Sequence, residues 1–451
     1  MRSKKLRIGV ALVGCTATAL LLATWALGAR ETPAKAGKVG SGTASAATSV
    51  CGLGNGTKAT GAPIKLGAIA TKQPGTDFTD IPVMAKAYFD CVNDNGGIHG
   101  RPIQYFIETE QTDPGQNAAL VKKLVESRKV LGMVGNTSII ECAINHKYYE
   151  AKGIYMIGSG IAPECYSTSN IAAVNMGPRF SSDGAVQYVI RAGVNKIVFD
   201  QSNVPGTGYI AAGPKLIAKA AGIPIVTFTD DVPIQDANSV ALKLVQAAGP
   251  NGGVVLNFTP DQALVILQAA QQQGLVDRVK AWGCSTPCNS DFVAQALGTA
   301  WDGKFGVNAE LALPSKNAPD SALYRQIIAK YKPKLAFGLG SFSQMGFVEA
   351  RVAVAALLNV EGPYTLKSVN EAFANVKNFK TDVLCKGWYF GKIPQHIPNN
   401  WDLTVTPNKG KMVIKENCFP ISSVDPAIAK VRALEKKFKL NTGPAYPLTG
   451  K

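Results

Sequence analysis

Three groups of residues have side chains suited to chemistry: the histidines, the cysteines, and short loops that mix glycine with hydroxyl residues. His99, His146 and His396 are scattered, and Cys284 and Cys288 form the one close cysteine pair, so no convergent metal-ligand set is indicated. Beyond Cys15 the cysteines are Cys51, Cys91, Cys142, Cys165, Cys284, Cys288, Cys385 and Cys418, an even number that reads as disulfides formed in an oxidising compartment. Sequence-local pairing predicts Cys51–Cys91, Cys142–Cys165, Cys284–Cys288 and Cys385–Cys418, one of about 105 formal arrangements. Gly206-Thr207-Gly208-Tyr209-Ile210-Ala211 fits a loose dinucleotide pattern. It starts several residues after the strand ending at Asp200, whereas a pyrophosphate turn needs its glycine at the strand end, so it reads as a loop leading into a helix. No GxxxxGK phosphate loop ending in Ser or Thr, HExxH or GxSxG pattern occurs, and neither catalysis nor a cofactor is implied. What remains are Asn136-Thr137-Ser138 and Gly158-Ser159-Gly160, which offer hydroxyls and approachable backbone amides to a small polar molecule.

Such loops form a site only if strands and helices bring them together. Strand-type runs at 64–70, 101–109, 130–134 and 153–157 alternate with helical segments at 79–95 and 115–129. The first helix ends at Asn95-Gly96-Gly97, where glycine can adopt the left-handed conformation that stops a helix. In the second, Ala118, Val121, Leu124 and Val125 lie on one stripe. The rhythm restarts after Asn175, with helices at 182–192, 208–221, 237–248 and 260–273 and strands at 196–200, 223–229, 252–257 and 279–283. Repeated βα units with short connections imply parallel sheets covered by their crossover helices, and two such runs imply two lobes. After residue 311 helices at 318–331 and 341–359 follow without equally clear strands, and 378–420 is rich in strand and loop. The helix at 427–439 puts Ile428, Val431, Leu434 and Phe438 on one face and Lys430, Arg432, Lys436 and Lys437 elsewhere, which favours docking on its own lobe.

Length and composition agree: 451 residues exceed what one core organises, and 46% apolar with 17% charged residues favours a packed globule. Arg2, Lys4, Lys5 and Arg7 precede an uncharged run from Ile8 to Ala29, the pattern of an export signal or a retained membrane anchor. Ala26-Leu27-Gly28 and Ala34-Lys35-Ala36 offer small residues for cleavage. Leu12-Val13-Gly14-Cys15 resembles a lipoprotein box, yet the chain stays apolar after Cys15, so lipidation is left open. Residues 37–62 read as a flexible linker. Residues 1–36 carry six of the 47 Lys+Arg and one of the 31 Asp+Glu, so the remainder is +11. The basic residues are spread along the chain, which argues against nucleic acid and for a solvated surface facing an anionic cell envelope.

The order of segments resembles the type I periplasmic binding proteins, in particular the branched-chain amino-acid (leucine/isoleucine/valine-binding) receptors of ABC importers. The resemblance is carried by Ile64-Lys65-Leu66-Gly67-Ala68-Ile69, Asn93-Asp94-Asn95-Gly96-Gly97-Ile98-His99-Gly100-Arg101-Pro102-Ile103, Asp113-Pro114-Gly115, Lys123-Leu124-Val125 and Met133-Val134-Gly135. Pro260-Asp261-Gln262-Ala263 through Gln271-Gln272-Gln273-Gly274-Leu275 adds to it, and about residues 63–375 are covered in order. It implies an α/β fold of two doubly wound parallel-sheet lobes joined by three crossings, with a hinge and a central cleft. Lobe 1 would be 63–176 with 311–376, and lobe 2 would be 177–310 with 377–451. It further implies a monomeric extracytoplasmic receptor, secreted or tethered to the outer face of the membrane. Such a receptor closes over a small polar or carboxylate-bearing ligand and delivers it to an ABC permease.

Ligands of open α/β sheets lie beyond the C-terminal strand ends, where helix N-termini present free N–H groups. In the first lobe this selects Asn136, Thr137, Ser138, Gly158, Ser159 and Gly160, with Gln73 and Phe78 as walls. The family uses the corresponding loops to hold a ligand carboxylate, while helix capping is the plainer role for Asn, Ser and Thr there. In the second lobe it selects Asn257, Phe258, Trp282 and Ser285. One departure stands out: amino-acid-binding relatives place an acidic residue near Ser285, and this chain has none there, leaving Asp261 or Glu310 as substitutes. A sensory subunit signalling through a partner chain is the alternative function, and a cell-envelope enzyme a more distant one. Titration with small metabolites separates them, since a receptor binds without turnover.

Overall fold

The computed structural model describes residues 50–313, 317–390 and 393–448. The export segment, Cys15 and the linker up to residue 49 lie outside the described residues.

The first sheet contains β1 (Ile64–Gln73), β2 (Thr76–Asp77), β3 (Ile103–Glu110), β4 (Met133–Asn136), β5 (Met156–Gly158) and β6 (Ile171–Ala173). Its parallel order is β3-β1-β4-β5-β6, and β2 folds back antiparallel on the end of β1. Helices α1 (Asp80–Asp94), α2 (Pro114–Lys122) and α3 (Glu141–Lys152) make the crossovers. The burial of Ile81, Met84, Ala85, Tyr88, Phe89 and Val92 on α1 follows the helical repeat expected from sequence. The motif after α1 is structural. Asn93 pairs through both amide atoms with the backbone of Ile103, at 2.9 and 2.7 Å, which anchors the helix end to the start of β3. Gly97 has φ +60, and a Cβ there would lie 2.3 Å from the Arg101 carbonyl oxygen, so the turn requires glycine.

The second sheet is built from β7 (Ile197–Asn203), β8 (Ile225–Asp231), β9 (Gly253–Asn257), β10 (Ala281–Cys284), β11 (Phe305–Ala309), β12 (Trp401–Asn408) and β13 (Lys411–Pro420). The order is β13-β12-β11-β10-β9-β7-β8, parallel from β8 to β11 and antiparallel at β12 and β13. Helices α4 (Pro178–Arg191), α5 (Ala212–Ala220), α6 (Ala237–Ala248), α7 (Pro260–Gln272) and α8 (Asp291–Leu297) cover it.

The chain then returns to the first sheet as α9 (Pro319–Tyr331), α10 (Ser341–Leu357) and α11 (Leu366–Ala374). Helix α10 is buried almost all round and crosses α1 so closely that a Cβ on Gly346 would fall within 1.9 Å of the Ile81 carbonyl oxygen. Residues 379–390 also pack in the first core, where the Trp388 indole donates to the Ala173 carbonyl at 2.8 Å. The closing helix α12 (Pro426–Phe438) buries Ile428 and Val431 in a cluster with Ile171 and Met176, while Phe438 at its end is exposed.

All four sequence-local disulfides are present: Cys51–Cys91, Cys142–Cys165, Cys284–Cys288 and Cys385–Cys418. They close loops of very different length, with separations of 40 for Cys51–Cys91 and 4 for Cys284–Cys288. From loop-closure entropy, replacing both cysteines by serine should destabilise by about 4 kcal/mol at 51/91 and about 2 kcal/mol at 284/288. Denaturant titration of the two double variants checks the order, and an equal or reversed loss would show that the effect lies in folded-state packing.

Candidate functional site

The two sheets face each other across a cavity lined from both sides. Its empty space is about 720 Å³ counting the open mouth, and about 90 Å³ can be occupied by the centres of water-sized molecules. A single water needs roughly 10–15 Å³ by that measure, so the enclosed part has room for more than one water and for a small solute.

Strand alternation decides which of the loop residues reach it. At the end of β4, Thr137 lines the cavity and its buried hydroxyl has no hydrogen-bond partner. Its neighbours Asn136 and Ser138 point the other way, as the two-residue period of a strand requires. Asn136 donates to Glu141 at 2.7 Å, while the Ser138 hydroxyl donates to Glu110 at 2.9 Å and accepts the Glu141 amide at 3.1 Å. Both therefore organise the start of α3, the capping role. The same holds after β5: Ser159 lines the cavity and Gly158 and Gly160 do not. A Cβ on Gly158 would meet the Asn136 carbonyl oxygen at 2.8 Å, and one on Gly160 would meet Cys165 at 2.6 Å, so both glycines serve close packing.

Phe78, Asn257 and Phe258 also line the cavity. Ser285 is one layer back, donating to the Asn257 side-chain oxygen at 2.9 Å and so fixing that amide. Gln73 is turned to Thr112, whose hydroxyl donates to it at 2.8 Å. Trp282 is in the second-lobe core, edge-on to Trp301 at 5.3 Å between ring centres, because alternation along β10 directs it under the sheet.

Further lining residues lie outside the strand-end loops selected from sequence, and of these only Glu310 is a site candidate from sequence, as an acidic substitute. Asn175 and Gly177 come from the crossing between β6 and α4, Pro178 and Ser181 from the first turn of α4, and Glu310 from the crossing after β11. Ser202 is near the end of β7, and Val204, Thr207 and Ile210 belong to the glycine-containing loop before α5. Glu310 is 2% exposed. One carboxylate oxygen accepts the Met176 amide in the first crossing, and its backbone oxygen accepts Asn399 in the third at 2.9 Å. All three strands of the hinge thus meet at this residue. Burial raises its carboxyl to about 8, against the opposing donors Met176 N–H and Thr286 hydroxyl. Behind Ser159, whose hydroxyl donates to it, burial holds Glu349 well above the usual carboxylate range. Asp261 is at the start of α7, bonded to Gln262 at 2.7 Å, and does not line the cavity.

Contacts between the lobes close the rim. Thr259 donates to the Gly75 carbonyl at 3.2 Å and Tyr209 to that of Ile161, while Ile139, Ile161 and Val204 form a small apolar cluster across the gap. Two parallel-sheet lobes, three crossings and a cavity at the strand ends coincide with a match of residues 63–407 to the periplasmic binding protein family. The chain belongs to that family. Its members are extracytoplasmic solute-binding proteins rather than enzymes. Among the described residues, no helix is long and apolar enough to cross a membrane.

Solved structures show the same fold. A branched-chain amino acid ABC transporter protein from Thermus thermophilus with bound valine is 16% identical, with TM-score 0.71 over 82% of this chain and 99% of its own. A fatty acid ABC transporter substrate-binding protein from Thermomonospora curvata is 19% identical, with TM-score 0.66 over 82% and 96%. A branched-chain amino acid binding protein from Streptococcus pneumoniae in complex with isoleucine is 17% identical, with TM-score 0.63 over 78% and 97%. No curated protein matches the chain.

Proposed function

We propose that this periplasmic binding protein is the monomeric receptor of an ABC importer, closing its lobes over a small solute and presenting it to a membrane permease without chemical turnover. The observation that carries the reading is the cavity itself, lined from both lobes and beside the hinge, with the unpartnered Thr137 hydroxyl facing into it. Thr137, Ser159, Asn257 and Glu310 supply its polar contacts, and Phe78, Phe258, Phe342 and Met345 form much of its apolar wall. The neighbours named for valine, isoleucine and fatty acid support an importer role and a ligand with an apolar body. The basic N-terminal flank and apolar run support export, with the mature protein secreted or tethered to the outer membrane face.

Mass spectrometry of the gently purified protein should reveal a copurifying small molecule. Adding it back at 100 times its Kd should stabilise the fold by about 2.7 kcal/mol. Thr137→Phe fills the cavity and should abolish that stabilisation while leaving the ligand-free unfolding curve near wild type. Turnover of the molecule, or full stabilisation of the variant, would count against the reading.

A further inference from the structure

We propose that the solute is an organic amine with an apolar body and no carboxylate, its ammonium group held against Glu310. The inference rests on the receptor reading above and names the chemical class that this cavity accepts. Among the described residues, Glu310 is the only ionisable side chain in the lining, and no Lys, Arg or His contributes. The buried groups that interact with it are an acid and a phenol, while the less buried cations Arg179 and Arg191 act on Asp183 and Asp402 behind them. Asp402 and Tyr166 interact with Glu310, Asp183 stands behind Asp402, and Glu349 lies behind Ser159. A site so composed has negative potential whenever one of these acids ionises, and nothing in its lining offsets a bound anion.

Backbone amides that would hold a carboxylate at the first-lobe loops are engaged within the protein, which leaves the Thr137 hydroxyl as a free donor there. The Thr137 amide donates to Ile69 at 2.9 Å, Ile139 to the Thr71 hydroxyl at 3.0 Å, Ser159 to Asn136 at 2.7 Å and Gly160 to the Asn175 side chain at 2.7 Å. The Ser159 hydroxyl is bound to Glu349. Free hydroxyl and amide groups would suffice for a neutral ligand, whereas a carboxyl in an apolar cavity without a basic partner is costly unless a cation meets it. Phe78, Phe258 and Phe342 supply rings favourable to an ammonium and its hydrocarbon neighbours.

The test uses two sets of probes that share a body and differ in head group. One set is isopentylamine, 4-methylpentanoic acid, leucine and 3-methylbutan-1-ol; the other is phenethylamine, 3-phenylpropanoic acid, phenylalanine and 2-phenylethanol. Calorimetric titration of the full protein should show at least one amine binding at least about tenfold tighter than its acid, amino-acid and alcohol counterparts. Binding should strengthen by about tenfold per pH unit below pH 8 and level off above it, because the Glu310 proton must leave for the amine to pair. A carboxylic acid would show the opposite slope. Glu310→Gln keeps an acceptor for the Met176 amide and should weaken the amine at least about thirtyfold. An acid, amino acid or alcohol binding as tightly as its amine, a pH slope of the other sign, or no binding by either amine overturns the inference. If a copurifying molecule of another class binds and closes the lobes, the receptor reading survives that failure. If no probe and no copurifying molecule binds, both fall.

Discussion

Gly75→Val is expected to hold the lobes apart and to weaken ligand binding by about a hundredfold while leaving both cores folded. Gly75 is at the tip of the β1–β2 hairpin, in the two-residue turn Pro74-Gly75, with φ +73. Glycine is preferred where a turn needs this left-handed backbone, and a β-branched residue is strongly disfavoured there. The closed rim adds a second constraint. A Cβ at this position would lie 2.9 Å from the Pro233 nitrogen and 3.0 Å from the Val232 side chain, both in the opposite lobe. The Gly75 carbonyl is also the acceptor for Thr259. A larger residue therefore removes an interlobe hydrogen bond and places atoms where the second lobe must sit. If the closed form falls to one part in a hundred, apparent affinity falls in proportion. X-ray scattering should give the variant a larger radius of gyration than wild type, with or without ligand, and a Tm changed by a few degrees at most. Tyr209→Phe removes one interlobe hydrogen bond and should have a milder effect, about fivefold in affinity. Unaltered binding by Gly75→Val would mean that this contact is not part of closure.

The alternation of strands and helices was readable because each βα unit repeats a strong local pattern. Helix α6 occupies the 237–248 span expected from its apolar spacing, bounded by the side-chain cap of Asp236 and by Gly249. The short strands β6 and β11 leave no signal in the sequence, since three to five buried residues carry no alternation of their own. The site was legible to the level of loops but not of side chains. Thr137 and Ser159 are separated from Ser138 and Gly160 by one step of the strand pleat, which flips a side chain from cavity to helix cap. Glu310 was no more than one of two acidic substitutes, because its place depends on where three crossings distant in sequence converge. The position near Ser285, where relatives of the amino-acid type carry an acid, is filled here by a hydroxyl that orients Asn257.

The buried acids also set how stability varies with pH, and ligand-free protein is expected to lose stability steadily from pH 6 to pH 9. Burial raises Asp80 to about 6, Glu141 to about 7, and Asp200 and Glu310 to about 8. It holds Asp183, Glu349 and Asp402 well above the ordinary carboxylate range. In the unfolded chain these groups release their protons near pH 4, so between that point and the raised values the folded state binds more protons. Stability must then fall as pH rises, by up to about 1.4 kcal/mol per pH unit for each group still protonated in the fold. Asp77 and Glu416 have lowered values and act in the opposite sense, but their contribution is complete once the pH exceeds the ordinary carboxylate range. Thermal unfolding at pH 5 to 9 should therefore show the midpoint dropping across the range, most steeply at its lower end where all of these groups are still protonated in the fold. Asp200→Asn isolates one contributor. Asp200 is fully buried, and Asp230, itself held by Lys243 at 2.6 Å, is close enough to share a proton with it and adds like charge beside it. The amide cannot ionise, so this variant should equal or trail wild type at pH 6 and exceed it at pH 9. A midpoint that climbs with pH in wild type, or an Asp200→Asn profile parallel to it, would show that these carboxyls reach water in the folded state.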